Sequence, residues 1–211
     1  MIQVLLVDDH TIVRKGIKQL LDDTKDIRVS GEAQHAEQML KEINQKKYDV
    51  VVLDISLPGR SGVEALKQLK HIHPNLPVLI LSMYPEDQYA LRVMKSGAAG
   101  YLTKESAPDE LENAIRKVAA GKRYISPKVA ETLADHLHEP TSTPEYKSLS
   151  DREFEVLRRI ASGETLTDIS QNLSLSVKTI STYRTRILNK LNLTNNSELI
   201  RYAIQHKLVD I

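Results

Sequence analysis

Short apolar runs that end in carboxylates constrain this chain more than any other feature. Residues 2–7 (IQVLLV) run directly into Asp8 and Asp9, and residues 50–53 (VVVL) run into Asp54. Strands have this nearly continuous apolar character when helices cover both faces of a parallel sheet. Because the carboxyl ends of parallel strands meet at one edge of a sheet, we expect these carboxylates to lie close together.

Strand and helix patterns alternate five times along the first 125 residues. The predicted strands cover residues 2–7, 28–33, 49–54, 77–82 and 98–102. The predicted helices cover residues 11–22, 35–47, 61–73, 86–96 and 108–120. Five such units predict an α/β fold, in which a doubly wound, five-stranded parallel sheet is covered by helices on both faces.

The character of the chain changes after residue 125. Residues 127–138 fit one more helix, with Ser126 as its N-cap and Pro127 at the first helical position. Residues 139–145 (EPTSTPE) hold two prolines and three hydroxyl side chains, which favour a linker that contains the domain boundary. The predicted divisions are an α/β domain over residues 1–125, a helix and linker over 126–147, and an all-α domain over 148–211.

Short helices are predicted throughout the last domain. Ser150 and Glu153 fit a capping box at the start of the first helix, which stops at Gly163. The other helices are predicted over residues 165–173, 177–191 and 195–206. Because only a tight turn separates the second helix from the third, the pattern predicts a helix-turn-helix arrangement.

Composition limits the class of protein. The 211 residues contain no cysteine, which excludes disulfides and thiolate metal sites. No apolar run approaches the roughly 20 residues that span a bilayer, and the apolar start lacks the basic region of a signal peptide. We therefore expect a cytoplasmic protein without a membrane partner.

The acids and one lysine together suit phosphoryl chemistry. Lys104 follows the last predicted strand. Aspartyl phosphorylation requires a carboxylate nucleophile, a divalent metal and a cation that faces the phosphoryl oxygens. Asp8 or Asp9, Asp54 and a backbone carbonyl near Ser56 offer the oxygen ligands that Mg²⁺ prefers. Taken singly, each aspartate is equally well explained as a turn former or a helix N-cap.

The predicted helix over residues 177–191 has one basic, hydroxyl-rich face. Its apolar positions, spaced by three or four, face a core: Ile180, Tyr183, Ile187, Leu188 and Leu191. The other face suits base edges and phosphates in a major groove, although charge alone favours an ordinary solvated face. The candidate DNA-contacting residues are Lys178, Thr179, Ser181, Thr182, Arg184, Thr185, Arg186 and Lys190.

Four segments resemble the motifs of bacterial receiver domains and occur in the family's order. They are residues 5–10 (LLVDDH), 52–62 (VLDISLPGRSG), 80–83 (ILSM) and 97–104 (GAAGYLTK). The resemblance covers about residues 1–122 and implies a flavodoxin-like sheet with strand order 2-1-3-4-5.

The receiver resemblance implies a role for each pocket residue. Asp54 is the implied phosphoacceptor. Asp8, Asp9, Asp54 and the backbone carbonyl of Ser56 are the implied ligands of Mg²⁺ or Mn²⁺, and Asp9 is the more direct ligand of the adjacent pair.

The resemblance also implies a switch. Ser82 would bond the phosphoryl oxygen, Tyr101 would change rotamer in step with it, and Lys104 would hold the phosphate. Many receivers have a proline after this lysine, often with a cis peptide, whereas this chain has Glu105. Because a cis peptide before a non-proline residue costs several kcal/mol, the sequence leaves the geometry of this peptide open.

The last domain resembles LuxR-type DNA-binding domains over about residues 148–208. The matching segments are residues 149–157, 160–163, 177–183 and 186–191. A receiver followed by such a domain is typical of NarL/FixJ-class response regulators, and the details are similar to the GacA/UvrY type. This implies a transcription factor rather than an enzyme. The implied partners are promoter DNA, a cognate sensor histidine kinase and a second copy of the chain when phosphorylated or DNA-bound, with RNA polymerase a further candidate.

Other classes of protein fit less well. A haloacid-dehalogenase-type phosphohydrolase requires two aspartates two positions apart, whereas Asp8 and Asp9 are adjacent. A constitutive DNA-binding protein with a degenerate receiver is opposed by the complete set of pocket residues. RNA binding is opposed by the absence of an aromatic platform.

Overall fold

The computed structural model describes residues 1–138, 145–206 and 208–209. The chain divides into two compact units, Met1–His138 and Glu139–Ile211. The predicted linker over residues 139–145 lies outside the described residues, apart from Glu145. No helix in the described ranges is long and apolar enough to cross a membrane.

The first unit alternates strands and helices around a parallel sheet. Its strands are β1 (Ile2–Val7), β2 (Ile27–Ala33), β3 (Val50–Asp54), β4 (Val78–Ser82) and β5 (Gly100–Thr103). Its helices are α1 (Thr11–Asp22), α2 (Ala36–Gln45), α3 (Gly62–Ile72), α4 (Glu86–Lys95), α5 (Ala107–Ala119) and α6 (Pro127–His138). The strand order is β2-β1-β3-β4-β5, and every pairing is parallel. The predicted fold class and strand order are confirmed.

Helices cover the sheet on both faces, which explains the continuous apolar runs. Every residue of β3 and β4 is buried. On one face, side chains of β1, β3 and β4 pack with side chains of α1 and α5 in one hydrophobic cluster. Burying aliphatic surface stabilises the fold by roughly 25 cal/mol per Å². Because the central strands are buried in this way, the acidic residues at their C-terminal ends are held in fixed positions.

Helix α6 is tied to α4 within the first unit. Ser126 is its N-cap, because Ser126 Oγ accepts a hydrogen bond from the backbone N–H of Val129 at 3.2 Å. The same hydroxyl donates to the carboxylate of Glu86, at the start of α4. The helix predicted over residues 127–138 is therefore present, and one serine both caps it and attaches it.

In the described residues, the second unit is helical throughout. A 3₁₀ turn (Glu145–Ser148), which the sequence did not predict, precedes α7 (Asp151–Ala161), α8 (Leu166–Asn172), α9 (Val177–Lys190) and α10 (Asn196–Gln205). The capping box of Ser150 and Glu153 is confirmed, and Thr165 and Asp168 form another at α8. The helices enclose an apolar core that includes Phe154, Leu157, Ile169, Ile180, Ile187 and Leu199.

Candidate functional site

The carboxyl ends of β1, β3 and β5 bring the predicted acids and lysine together. Lys104 Nζ lies 2.7 Å from Asp8 Oδ2 and 2.8 Å from Asp54 Oδ2. The side chains of these two acids are only 1% and 2% exposed. One ligand atom from each of Asp8, Asp9, His10 and Asp54 lies within 4.8 Å of the others. Residues far apart in the sequence thus form a single acidic pocket.

Main-chain groups fix the orientation of both buried carboxylates. Asp8 Oδ1 accepts from the backbone N–H of His10 at 2.8 Å. Asp54 Oδ1 accepts from the backbone N–H of Ser56 at 3.1 Å. In each acid, one carboxylate oxygen accepts the N–H of the residue two positions later, as in an Asx turn. The other oxygen contacts Lys104 Nζ.

Charge is not balanced inside the pocket. The pKa of Asp54 lies above its ordinary value, mainly because the carboxyl group is buried. The positive charge of Lys104 lowers this pKa, and the negative charge of Asp8 raises it further. Burial lowers the pKa of Lys104, but its contacts with Asp54 and Asp8 outweigh burial and raise it. Two buried carboxylates against one ammonium group make a site that favours a further cation.

Ser82 ends β4, Tyr101 lies within the adjacent strand β5, and both bond Tyr84. Ser82 Oγ accepts from the backbone N–H of Tyr84 at 3.1 Å, and the hydroxyl of Tyr101 donates to the carbonyl of Tyr84 at 2.7 Å. Both side chains are completely buried. The ring of Tyr84 stacks on that of Tyr89 in α4, with centroids 5.0 Å apart. The peptide between Lys104 and Glu105 is trans.

In the second unit, α8 and α9 form a helix-turn-helix. Helix α8 ends where Ser174 adopts a left-handed conformation with φ 53°, and the N–H of Leu175 closes the turn on the carbonyl of Ser170 at 2.9 Å. Ser176 then caps α9 by accepting from the N–H of Thr179 at 3.0 Å.

Helix α9 turns its apolar side inward, as predicted. Ile180, Ile187 and Leu188 are buried, as is Leu191 just past the helix end, while Tyr183 is half-buried. Six of the eight candidate DNA-contacting residues are exposed: Lys178, Ser181, Thr182, Thr185, Arg186 and Lys190.

Two of the candidate DNA-contacting cations already have partners within the second unit. Lys190 Nζ donates to Glu153 Oε2 at 2.7 Å, which ties α9 to α7. Arg184 Nε donates to Asn196 Oδ1 at 2.5 Å. By contrast, Lys178 and Arg186 line a depression of about 280 Å³, and neither forms an ion pair with another described residue.

Comparison with known proteins agrees with both units. Residues 4–116 match the response regulator receiver domain family, and residues 147–203 match the LuxR family of bacterial regulatory proteins. The chain belongs to the response regulators. Along its whole length it is 42% identical to the response regulator GacA of Pseudomonas aeruginosa, covering 99% of that protein. It is 41% identical to UvrY of Escherichia coli over 99% of this chain and 96% of that protein.

A solved structure supports the same assignment. The structure of RcsB from Salmonella typhimurium, a response regulator, is 28% identical in sequence and has a TM-score of 0.63. The match covers 97% of this chain and all of RcsB. The predicted class, a receiver followed by a LuxR-type DNA-binding domain, is confirmed.

The acidic pocket of this response regulator fits a hard divalent cation. Its acidic donors are the carboxylate oxygens of Asp8, Asp9 and Asp54, which lie close together, and Mg²⁺ is bound in proteins by a few such oxygens together with waters. Ser56, whose carbonyl is the further predicted ligand, is held against Asp54 by its own N–H. The excess of buried negative charge favours a divalent ion over a neutral ligand.

Gly62 packs against the main chain of Asp54, a contact that the sequence does not predict. It is the first residue of α3, and its N–H donates to the carbonyl of Ile55 at 2.8 Å. A Cβ at this position would lie 2.1 Å from the carbonyl oxygen of Asp54 and 2.6 Å from the Cα of Ile55. The only sequence signal is a glycine at the start of the helix predicted over residues 61–73, and glycine at such a position also occurs for unrelated reasons.

We expect Gly62→Ala to destabilise the first unit by about 1–3 kcal/mol, because the new methyl group overlaps backbone that cannot move without shifting Asp54. Urea unfolding of the full chain measures this loss. Gly16→Ala in α1 is the matched control, since its Cβ would meet nothing within 4 Å, and it should leave stability unchanged or raise it by up to about 1 kcal/mol. Equal stability of the two variants would contradict the close approach of Gly62 to Asp54.

Proposed function

We propose that Mg²⁺-dependent phosphorylation of Asp54 switches this response regulator to a state that dimerises and binds promoter DNA, thereby regulating transcription. The proposal assigns phosphorylation to residues 1–125 and DNA binding to residues 148–211, joined by the helix and linker over residues 126–147. A cognate sensor histidine kinase is the proposed donor, and small phosphodonors such as acetyl phosphate are proposed substitutes.

The contact of Lys104 with two buried acids carries this proposal. Its Nζ lies within 2.8 Å of both Asp8 and Asp54, so a positive charge stands beside the proposed nucleophile. Burying these charges is costly and is weak evidence for a purely stabilising role. A cation and several acids at the ends of parallel strands are instead what the binding of a metal and a phosphoryl group requires.

Asp54 is the proposed nucleophile. One of its carboxylate oxygens forms a bond to phosphorus while the bond from phosphorus to the leaving atom of the donor breaks. Mg²⁺, for which Mn²⁺ is a substitute, supplies positive charge that offsets the repulsion between an anionic donor and a carboxylate. Asp8, Asp9, Asp54 and the Ser56 carbonyl are the proposed ligands of the ion, and Lys104 binds a phosphoryl oxygen as a point charge.

Ser82, Tyr84 and Tyr101 form the proposed connection from the pocket to α4. Ser82 Oγ accepts the N–H of Tyr84 at 3.1 Å, and its O–H is the proposed donor to a phosphoryl oxygen. Turning toward the phosphoryl group would pull the hydroxyl away from the N–H of Tyr84. Movement of Tyr84 then weakens the bond that it accepts from the hydroxyl of Tyr101. Phosphorylation thus shifts the population between two receiver states.

Helix α9 is the proposed recognition helix. We propose that Lys178, Thr182 and Thr185 contact bases and that Arg184 and Arg186 contact phosphates. Thr179 and Ser181 complete the proposed contact surface, with Lys190 at its edge, where the bond to Glu153 limits its contribution. One solved RcsB structure, 26% identical to this chain with a TM-score of 0.61, contains two dimers bound to two parallel DNAs, which supports a dimer on DNA. The sensor kinase and RNA polymerase remain candidate partners.

Intact mass of the full chain after incubation with acetyl phosphate and Mg²⁺ tests the proposed function. We expect one phosphoryl adduct on the wild type, and none when Mg²⁺ is chelated or when the protein carries Asp54→Ala. Duplex DNA binding by the two forms is then compared. An adduct that persists in Asp54→Ala, or a wild-type protein that takes no phosphoryl group from any donor, would contradict the assignment of Asp54.

A further inference from the structure

Arg14 is a buried cation directly behind the acidic pocket. Its side chain on α1 is 6% exposed. Its Nη1 donates to the main-chain carbonyl of Asp8 at 2.7 Å, and its Nε donates to Glu32 Oε2 at 3.2 Å. Its Nη2 lies 3.4 Å from Thr11 Oγ1. Burying a guanidinium group is costly unless it is hydrogen-bonded, so these contacts fix where the group lies.

The carbonyl that Arg14 binds belongs to the peptide that joins Asp8 to Asp9. A peptide group is planar, so a hydrogen bond to its oxygen restrains the direction in which the chain enters Asp9. The remaining contacts of Asp8 restrain other atoms. Its N–H donates to the carbonyl of Ala33 at 3.1 Å, and its carboxylate bonds the N–H of His10 and Lys104.

We propose that Arg14, held in turn by Glu32, is a positioning residue that orients the Asp8–Asp9 peptide so that both carboxylates face the divalent ion. The inference rests on the proposed function, because it concerns the same pocket. Arg14 reaches the pocket through the main chain and does not touch the ion or the phosphoryl group. Groups that orient metal ligands in this way typically change metal affinity by 10- to 100-fold when they are removed.

The sign of the effect separates positioning from simple electrostatics. Arg14 is a positive charge near a site for a cation, so removing its charge alone would tighten Mg²⁺ binding. Loss of the bond to the Asp8 carbonyl would instead weaken Mg²⁺ binding, because the two carboxylates would no longer be held toward the ion. Only the positioning role predicts weaker binding in an Arg14→Met protein.

Lys18 provides a matched control on the same helix. Its Nζ lies 3.6 Å from Glu32 Oε1, and its side chain is 47% exposed. Lys18→Met therefore removes a positive charge from the same carboxylate without removing the bond to Asp8. Arg14→Lys is the conservative variant, since one amine can donate to the Asp8 carbonyl but cannot reproduce the fork that also holds Glu32.

The test is isothermal titration of Mg²⁺ into the full-length protein, combined with unfolding temperatures measured with and without Mg²⁺. We expect Arg14→Met to weaken Mg²⁺ binding by about 10-fold or more and to reduce the rise in unfolding temperature that Mg²⁺ produces. Arg14→Lys should recover part of the affinity. Lys18→Met should bind Mg²⁺ within about 2-fold of the wild type or slightly more tightly.

Each outcome has a definite meaning. If Arg14→Met lowers the unfolding temperature equally with and without Mg²⁺ and leaves Mg²⁺ affinity unchanged, Arg14 is only structural and the inference is wrong. If Arg14→Met does not fold, Arg14→Lys decides, because it keeps the positive charge but loses the fork that also holds Glu32; Mg²⁺ affinity equal to that of the wild type would then contradict the inference. A wild-type protein that binds no Mg²⁺ and takes no phosphoryl group would instead contradict the proposed function itself.

Discussion

We expect Lys104→Met to destabilise the first unit by about 3–5 kcal/mol at neutral pH without divalent ions, because breaking a buried ion pair leaves uncompensated charge. Lys104 Nζ bonds both Asp8 and Asp54, whose side chains are almost fully buried. Urea unfolding of the full chain measures the loss, and hydrogen exchange of β1 and β3 assigns it to the first unit. Methionine keeps the length and apolar stem of lysine, so the change mainly removes charge.

The loss should depend on pH in a direction set by Asp54. Its pKa is raised in the folded protein, by burial above all. Its ionised form therefore opposes folding. This penalty grows as pH rises from the ordinary pKa of an aspartate to the raised folded pKa, is complete above the folded pKa, and is absent below the ordinary one. Lys104, whose pKa is also raised, stabilises fully below its ordinary pKa and loses this effect only as pH rises through its folded pKa. The deficit of Lys104→Met should accordingly shrink as the solution is acidified.

Other variants test whether charge is the cause. Mg²⁺ should restore part of the stability of Lys104→Met, because the ion supplies positive charge to the same carboxylates. Asp54→Asn should be more stable than the wild type at neutral pH, and the difference should vanish in acid. Lys70→Met is the control, because the partners of Lys70 Nζ among the described residues are neutral, the carbonyls of Pro74 and Leu76, and it should lose only about 1 kcal/mol. A deficit of Lys104→Met that is insensitive to pH would contradict a charge origin.

The acidic pocket could be anticipated because parallel strands carry their C-terminal residues to one edge. Asp8, Asp54 and Lys104 lie at the carboxyl ends of three different strands, so their convergence requires only the strand pattern and the rule for parallel sheets. Arg14 could not be anticipated in the same way. An arginine in an amphipathic helix is ordinarily exposed, and the group that it binds is a main-chain carbonyl, which has no signature in sequence.

Long-range pairing in the second unit also has no signature in the sequence. Helical spacing places Lys190 on the exposed face of α9, and its partner Glu153 lies 37 positions earlier in α7. Nothing in the local pattern distinguishes this lysine from Lys178, because both follow the same periodicity. The 3₁₀ turn before α7 is not predictable for a related reason: one short turn has too few residues for a periodic pattern.

The structure therefore separates the cations of α9 into two groups with different expected effects on DNA binding. We expect Lys178→Ala and Arg186→Ala each to weaken binding to duplex DNA on the order of 10-fold at low salt, because each removes a phosphate-neutralising or base-contacting charge. Affinity falls with salt, and each lost phosphate contact makes this fall less steep. The slope of log affinity against log salt concentration should decrease in magnitude by about 0.9, or by about 1.8 for a dimer. Fluorescence anisotropy across a salt series measures both quantities.

Lys190→Met is the informative contrast in the same helix. Glu153 is buried, which raises its pKa, but the bonds from Lys190 and Ser150 outweigh burial and hold the pKa below its ordinary value. Removing Lys190 should therefore destabilise the second unit by roughly 1 kcal/mol, while the salt slope changes much less than in Arg186→Ala. The opposite result would be a salt slope that becomes as much less steep in Lys190→Met as in Arg186→Ala. Lys190 would then leave Glu153 to bind phosphate, and its ion pair with α7 would not persist on DNA.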